Sequence, residues 1–262
     1  MNTIDLGGVK LAYDDRGQGP SVMFMHAYGL SLGMWDGQMS LASRCRLTRF
    51  DARGFGGSGT GDAVLTMARI ADDAAALIEK LRLGPIVAVG CSMGGYASFA
   101  FAQKYPHLLR GLVLVDTRAA GDTAEGRASR GDLADRILRE GARPGLDFFL
   151  PRVFGETTKA SRPDVVAKFK EIFLATSPRG LADGLNGLAA RPDMTAFLRE
   201  IKAPTLVVCG EEDIITPRSD AEIMQRGIQG AELAMIPKSG HLPSMETPEA
   251  FTAVLAKFLE RF

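Results

Sequence analysis

The sequence predicts an α/β protein: a mostly parallel central sheet, helices on both of its faces, and a helical insertion serving as a lid. Three observations carry this. Short apolar runs alternate with stretches of helical periodicity through the first half of the chain, the pattern of a parallel sheet covered on both faces. The alternation stops over residues 117–191, where helical patterns follow one another with Gly and Pro between them and no convincing strand. Strand logic then resumes at Pro204. The expected organisation is a core of residues 1–116 and 192–262, with a helical lid over residues 117–191.

Taken in order, residues 9–15 (VKLAYDD) alternate like an antiparallel strand. Residues 21–25 (SVMFM) form a short apolar strand ending at His26, and residues 46–50 (RLTRF) a strand ending at Asp51. Ile70, Ala74, Leu77, Ile78 and Leu81 fall at helical spacing, with Thr66 as N-cap and Gly84-Pro85 as the stop. A buried strand over 86–89 leads into a helix over 93–105, which Pro106 ends, and a strand over 112–115 ends at Asp116. Within the insertion, helical patterns centre on 127–140, 144–150, 163–175 and 178–189. Beyond it come a strand over 204–209, a helix over 218–226 and a strand over 232–236. An amphipathic helix over 247–262 closes the chain, opened by Thr247-Pro248-Glu249. There are no internal repeats and no low-complexity tracts.

Composition narrows the function classes. The 262 residues are 46% hydrophobic and 24% charged, ordinary for a globular chain. Lys+Arg and Asp+Glu are both 31, so nothing points to nucleic acid or another polyanionic partner. The cysteines Cys45, Cys91 and Cys209 are odd in number and not in CxxC spacing, which argues against a disulfide framework or a zinc site. There is no secretory pattern at the N-terminus and no apolar run near 18 residues. A cytoplasmic protein without a membrane span, monomeric or homodimeric, is the expectation.

Gly90-Cys91-Ser92-Met93-Gly94 fits G-x-S-x-G between an apolar strand and a helical stretch. That context suits a nucleophile held at a strained strand-to-helix turn, with helix amides aimed at the reacting centre. Ser92 is the expected nucleophile. Cys91 continues the strand and reads as packing. Three histidines could supply the base. His107 lies between a helix end and a strand and reads as surface. His26 follows a strand. His241 lies on a post-strand loop near the C-terminus, from which it can reach the sheet's carboxyl edge, so it is preferred. The orienting acid is expected in the loop Glu211-Glu212-Asp213; Asp213 is preferred, with Glu212 and the strand-end Asp116 as alternatives. The order Ser, Asp, His suits this type of triad. Two backbone amides should bind the oxyanion: that of Met93, directly after the nucleophile, and that of Tyr28, ahead of Ala27. Asp51-Ala-Arg53-Gly54-Phe55-Gly56-Gly57 lacks a P-loop pattern, so Asp51 and Arg53 read as internal ties under the site.

The segments HAYG, DARGFGGSG, GCSMGGY, LVLVD, PTLVVCGEEDIITP and IPKSGHLPSMETPEAF together resemble the α/β-hydrolase superfamily over nearly the whole chain. Within it the chain looks like small lid-bearing bacterial esterases and lactonases, 3-oxoadipate enol-lactonases and cofactor-free haloperoxidase-like esterases among them. The resemblance places nucleophile, acid and base on Ser92, Asp213 and His241, and the oxyanion amides on Tyr28 and Met93. It implies no metal or organic cofactor. Two departures stand out. His26-Ala27 replaces the usual His-Gly, and the elbow residue is Ser rather than the Asp that dehalogenases of this fold require.

Three functions are weighed. The first is a serine hydrolase that cleaves a small to medium carboxylic ester or lactone through an acyl-enzyme. The second is C–C hydrolysis, perhydrolysis or acyl transfer with the same triad. The third is a non-catalytic small-ligand binder on a hydrolase fold. The pocket is expected between the sheet's carboxyl edge and the lid, lined by Tyr28, Leu30, Trp35, Phe148, Phe149 and Phe154, with Met93 and Leu150 nearby. Arg118, Arg127, Arg130 and Arg152 either steer a substrate carboxylate or are solvated lid residues.

Overall fold

The most apolar runs of the chain become the middle of one sheet. The structure, a computed structural model, describes residues 1–61 and 64–262. Its strands are β1 (Asn2–Asp5), β2 (Lys10–Arg16), β3 (Ser21–Met25), β4 (Arg46–Phe50), β5 (Ile86–Cys91), β6 (Leu109–Val115), β7 (Thr205–Gly210) and β8 (Glu232–Ile236). They lie in the order β1-β2-β4-β3-β5-β6-β7-β8. β2 pairs antiparallel with both β1 and β4, and every pairing from β4 across to β8 is parallel. β3, β5 and β7 are buried at every position, which is why they read as continuous apolar runs. β2 alternates because it is near the edge. Its Asp14 and Asp15 pair with Arg49 and Arg46 of β4.

Helices α1 (Met67–Leu81), α2 (Met93–Lys104), α8 (Arg218–Gly227) and α10 (Pro248–Leu259) accompany the strands, with a single turn α9 (Pro243–Glu246) before the last. Thr66 caps α1 by accepting from the Arg69 amide. α1 buries Ile70, Ala74, Leu77 and Ile78, the residues whose spacing predicted it. It stops at Arg82, in the left-handed conformation, two residues before Gly84. Between β6 and β7 lie α3 (Ala124–Glu140), α4 (Arg143–Val153), α5 (Glu156–Ser161), α6 (Pro163–Ala175) and α7 (Pro178–Ala189). No helix among the described residues is long and apolar enough to cross a membrane.

The expected α/β class and parallel sheet are present. Three elements had no periodic signal to announce them. β1 is four residues long and mostly exposed, α5 is one and a half turns, and Leu32–Ser43 is a 3-10 segment. β6 starts three residues before the expected strand, because Leu109 already pairs with Ile86.

Candidate active site

The carboxyl ends of β3, β5, β6, β7 and β8 deliver the residues that the sequence singled out. Ser92 follows β5 and opens α2 with φ 50° and ψ −109°, a costly backbone conformation for a residue with a Cβ. Its neighbours make the turn possible. A Cβ on Gly90 would lie 2.2 Å from the Gly94 carbonyl oxygen, and one on Gly94 would lie 2.0 Å from that of Met25. Cys91 is fully buried, its thiol 3.7 Å from the His241 carbonyl oxygen, and burial pushes its ionisation far up. It packs under the site, as the strand reading expected.

His241 sits in the loop after β8 and is 4% exposed. Its Nδ1 donates to Asp213 Oδ2 at 2.8 Å, leaving Nε2 without a protein partner among the described residues. Asp213, in the loop after β7, also accepts from the Thr216 hydroxyl (2.6 Å) and the Ile215 amide (2.8 Å). Burial pushes its carboxyl up. The His241 charge and hydrogen bond, with those two donors, outweigh burial and hold it well below the usual carboxylate range. Ser92 and His241 line one small cavity together with Ala27, Tyr28, Tyr96 and Phe149.

The other candidates for base and acid are occupied elsewhere. His26 Nε2 accepts from the Ala52 amide and its Nδ1 donates to the Ala27 carbonyl, so both nitrogens are used in a neutral ring. Burial lowers its proton affinity further. His107 is exposed at the 3-10 turn Pro106–Leu108. Glu212 accepts from the amide and hydroxyl of Thr157. Asp116 is buried beside Asp213, takes φ 41° and accepts from the Gly210 amide at 2.8 Å. Burial and the Asp213 charge raise its carboxyl far above the ordinary value, so it is the neutral member of the pair.

Asp116, Cys209 and Asp213 each place a ligand-type atom within 4.8 Å of the others. They do not fit a metal. Asp213 is already saturated by the His241, Ile215 and Thr216 donors, and Asp116 accepts from the Gly210 amide.

The two backbone amides differ in availability. The Ala27 amide is tied to Met34 Sδ at 3.2 Å, whereas the Tyr28 amide has no protein acceptor among the described residues. Met93 is the first residue of α2, so its amide has no intrahelical partner. The Tyr28 hydroxyl donates to the Leu181 carbonyl at 2.9 Å, tying its loop to α7. Gly29 beside it has φ 73°, and a Cβ there would lie 2.3 Å from the Phe173 ring. Below the loop, Asp51 accepts from the amides of Leu32 (2.6 Å) and Gly57 (2.8 Å), and Arg53 pairs with buried Asp73 at 2.7 Å.

The expected pocket residues are divided between the cavity and the core. Tyr28 and Phe149 line the cavity, their rings 5.1 Å apart. Leu30 and Trp35 do not: both are fully buried in the core, Trp35 between Phe24 and Phe251. Phe154 is also core, packed edge-on against Phe169. Phe148 is 37% exposed and lines a neighbouring cavity with Arg152, which stacks on its ring. The chain turns inward there into the 3-10 segment, carrying Leu30 and Trp35 into the core. Of the four arginines, Arg118 and Arg130 face the cavity; Arg127 bonds the Asp122 carbonyl at the surface.

Two residues escaped the sequence reading. Tyr96 stands one helical turn after Ser92, a spacing that could have revealed it. Glu246, 2% exposed, accepts from the amides of Gly155, Gly240 and Leu242 at 2.9–3.0 Å, clamping the His241 loop to the end of α4. Nothing local in the sequence distinguishes it.

A family model described as the alpha/beta hydrolase fold matches residues 20–248. The chain belongs to the α/β hydrolase fold family. This hydrolase-family chain is 39% identical to a thermophilic esterase from Thermogutta terrifontis, solved with malate bound. That match has a TM-score of 0.95 over 99% of this chain and 96% of the other. An enol-lactonase from Burkholderia xenovorans superposes with TM-score 0.92 at 26% identity, covering 99% and 100% of the two chains. Among curated relatives, 3-oxoadipate enol-lactonase 2 of Acinetobacter baylyi is 25% identical over 100% of this chain and 97% of its own.

Proposed function

We propose that this chain is a serine hydrolase of small to medium carboxylic esters or lactones, acting through an acyl-enzyme, with Ser92, His241 and Asp213 as its triad. One observation carries the reading: His241 Nδ1 is engaged by Asp213 at 2.8 Å while its Nε2 has no protein partner among the described residues, and His241 lines the cavity that Ser92 also lines. The esterase and enol-lactonase similarities support the same class.

In this mechanism His241 Nε2 takes the Ser92 hydroxyl proton as Oγ adds to the substrate carbonyl carbon. The oxygen that becomes negative is held by the Tyr28 and Met93 amides, reinforced by the start of α2. Collapse of the tetrahedral species breaks the ester C–O bond, and His241 returns the proton to the leaving oxygen. A water, deprotonated by His241, then adds to the acyl carbon and releases Ser92 and the carboxylic acid. Asp213 stays ionised and steadies the imidazolium. Helices α3–α7 act as a lid that keeps bulk water from this cavity.

Arg118 and Arg130 give the cavity wall a positive character, and no acidic side chain lines it among the described residues. Their partners are Asp220, 3.6 Å away, and Asp122, shared with Arg191. This favours substrates that carry an anionic group away from the scissile bond.

The test is hydrolysis of p-nitrophenyl acetate together with labelling by a fluorophosphonate. The expected outcome is turnover and a single label on Ser92, both lost in Ser92→Ala. Retained turnover in that variant would overturn the assignment. Methyl hydrogen succinate is expected to be cleaved with a lower KM than methyl butyrate, and Arg130→Met to remove that difference.

A further inference from the structure

A second cavity adjoins the first and is larger. The cavity shared by Ser92 and His241 measures about 50 Å³, whereas one bounded by α1, α2 and the segment after α7 measures about 260 Å³. The two have Tyr96 and Arg118 in common. The smaller one holds no more than a few water molecules, so an acyl group much longer than acetyl must continue elsewhere.

Tyr96 is the partition. Its amide bonds the Ser92 carbonyl at 3.0 Å, so it stands one turn beyond the nucleophile. Its side chain is 7% exposed, yet its hydroxyl has no hydrogen-bond partner among the described residues. The hydroxyl is not itself fully buried, and the residue lines both cavities. On its ring lies the Arg191 guanidinium, 4.2 Å from the centroid and itself paired with Asp122. The lining of the larger cavity includes Met67, Phe99, Ala119 and Met194, all buried and apolar, together with Arg118 and Arg191. Gln103 and Lys104 form an exposed outer rim.

We propose that this cavity is the acyl-chain subsite: an unbranched apolar chain, tied to Ser92, passes Tyr96, runs along α2 and ends near the rim. This rests on the serine-hydrolase reading. The acyl group stays bonded to Ser92 while the alcohol departs. Tyr96, Phe99, Ala100 and Gln103 then follow Ser92 along the same helix at helical spacing, so the tethered chain meets their face. A third cavity, about 180 Å³, adjoins the catalytic one through Arg130, Phe149 and Ile215.

The experiment is a chain-length series. From p-nitrophenyl acetate to octanoate, kcat/KM is expected to rise by roughly fourfold for each methylene buried, until the cavity is filled. Ala100→Phe puts a ring into the cavity from α2, and its kcat/KM for octanoate is expected to fall at least tenfold more than for acetate. Tyr96→Ala should shift the octanoate-to-acetate ratio the other way. A folded Ala100→Phe protein, checked by circular dichroism, that loses equally at all chain lengths overturns the proposal. So does a chain-length effect confined to alkyl acetates that vary the alcohol. Titration with sodium octanoate needs no turnover: Ser92→Ala is expected to bind it, and S92A/A100F to lose at least tenfold in affinity. Equal affinity in the two overturns the subsite. Should the parent cleave no ester and Ser92 take no label, the hydrolase reading fails, and this titration still decides the cavity.

Discussion

His26 and His241 both follow strands at the carboxyl edge of one sheet, yet their neighbours give them opposite chemistry. A backbone amide and a backbone carbonyl consume both nitrogens of His26, which makes it a structural strut beneath the Tyr28 loop. A carboxylate takes one nitrogen of His241, and the other has no protein partner among the described residues. The same logic divides Asp213 from Asp116. Two carboxylates this close cannot both ionise, and the donors from Ile215, Thr216 and His241 decide which one does. Asp213→Asn is therefore expected to lower kcat on the order of 10⁴-fold, because an amide both drops the charge and disturbs the His241 tautomer. Asp116→Asn replaces a neutral acid with a neutral amide that can still accept from the Gly210 amide. It is expected to cost less than about tenfold, and steady-state ester hydrolysis compares the two. The residue types and chain order of Ser92, Asp213 and His241 were legible in the sequence. The neutrality of Asp116 was not, since it depends on burial under β7.

Among the elements, α2 and the inserted helices decide the site's shape. α2 can begin directly on Ser92 only because Gly94 packs against the Met25 carbonyl and Gly95 against Thr117, both without room for a Cβ. The G-x-S-x-G pattern announced that turn. The clasps that hold the inserted helices were not announced. Asp122 joins Arg130 of α3 to Arg191 beyond α7, at 2.5 and 2.7 Å. Burial alone would raise its carboxyl, but the Arg191 and Arg130 hydrogen bonds dominate and bring it to about 2. A carboxyl lowered on folding stabilises the native state above its unfolded value near 4, and that contribution fades as pH falls toward 2. The shift corresponds to about 2 kcal/mol. Asp122→Asn is expected to lose about that much at pH 7, and the gap to the parent to close between about pH 4 and pH 2. Urea midpoints measured across that range check it.

For the whole molecule, one apolar cluster runs from Leu6 to Leu259. It joins the sheet residues Phe24, Val89 and Val207 to Ile137, Phe169 and Phe173 of the inserted helices. Trp35, the single tryptophan, lies at its centre, 5.0 Å from Phe24 and 6.1 Å from Phe251. A shared core favours one cooperative transition. Loss of Trp35 fluorescence and of far-ultraviolet circular dichroism is expected to coincide in urea. An earlier dichroism step would show that the inserted helices unfold by themselves.

The sequence by itself determined the α/β class, the parallel centre of the sheet, and which Ser, His and Asp stand at strand ends. Those features are written in local periodicity and in the chemistry of short turns, so they survive without knowledge of what packs where. Only the tertiary structure decided which aromatic residues face the cavity. Leu30, Trp35 and Phe154 went into the core, and Tyr96, Arg118 and Arg130 came to the wall. It also placed Glu246 across the amides of Gly240 and Leu242 just before it and that of the distant Gly155. The reason is physical. Burial and contact between residues far apart in the chain are set by how whole layers pack, and no local pattern encodes them.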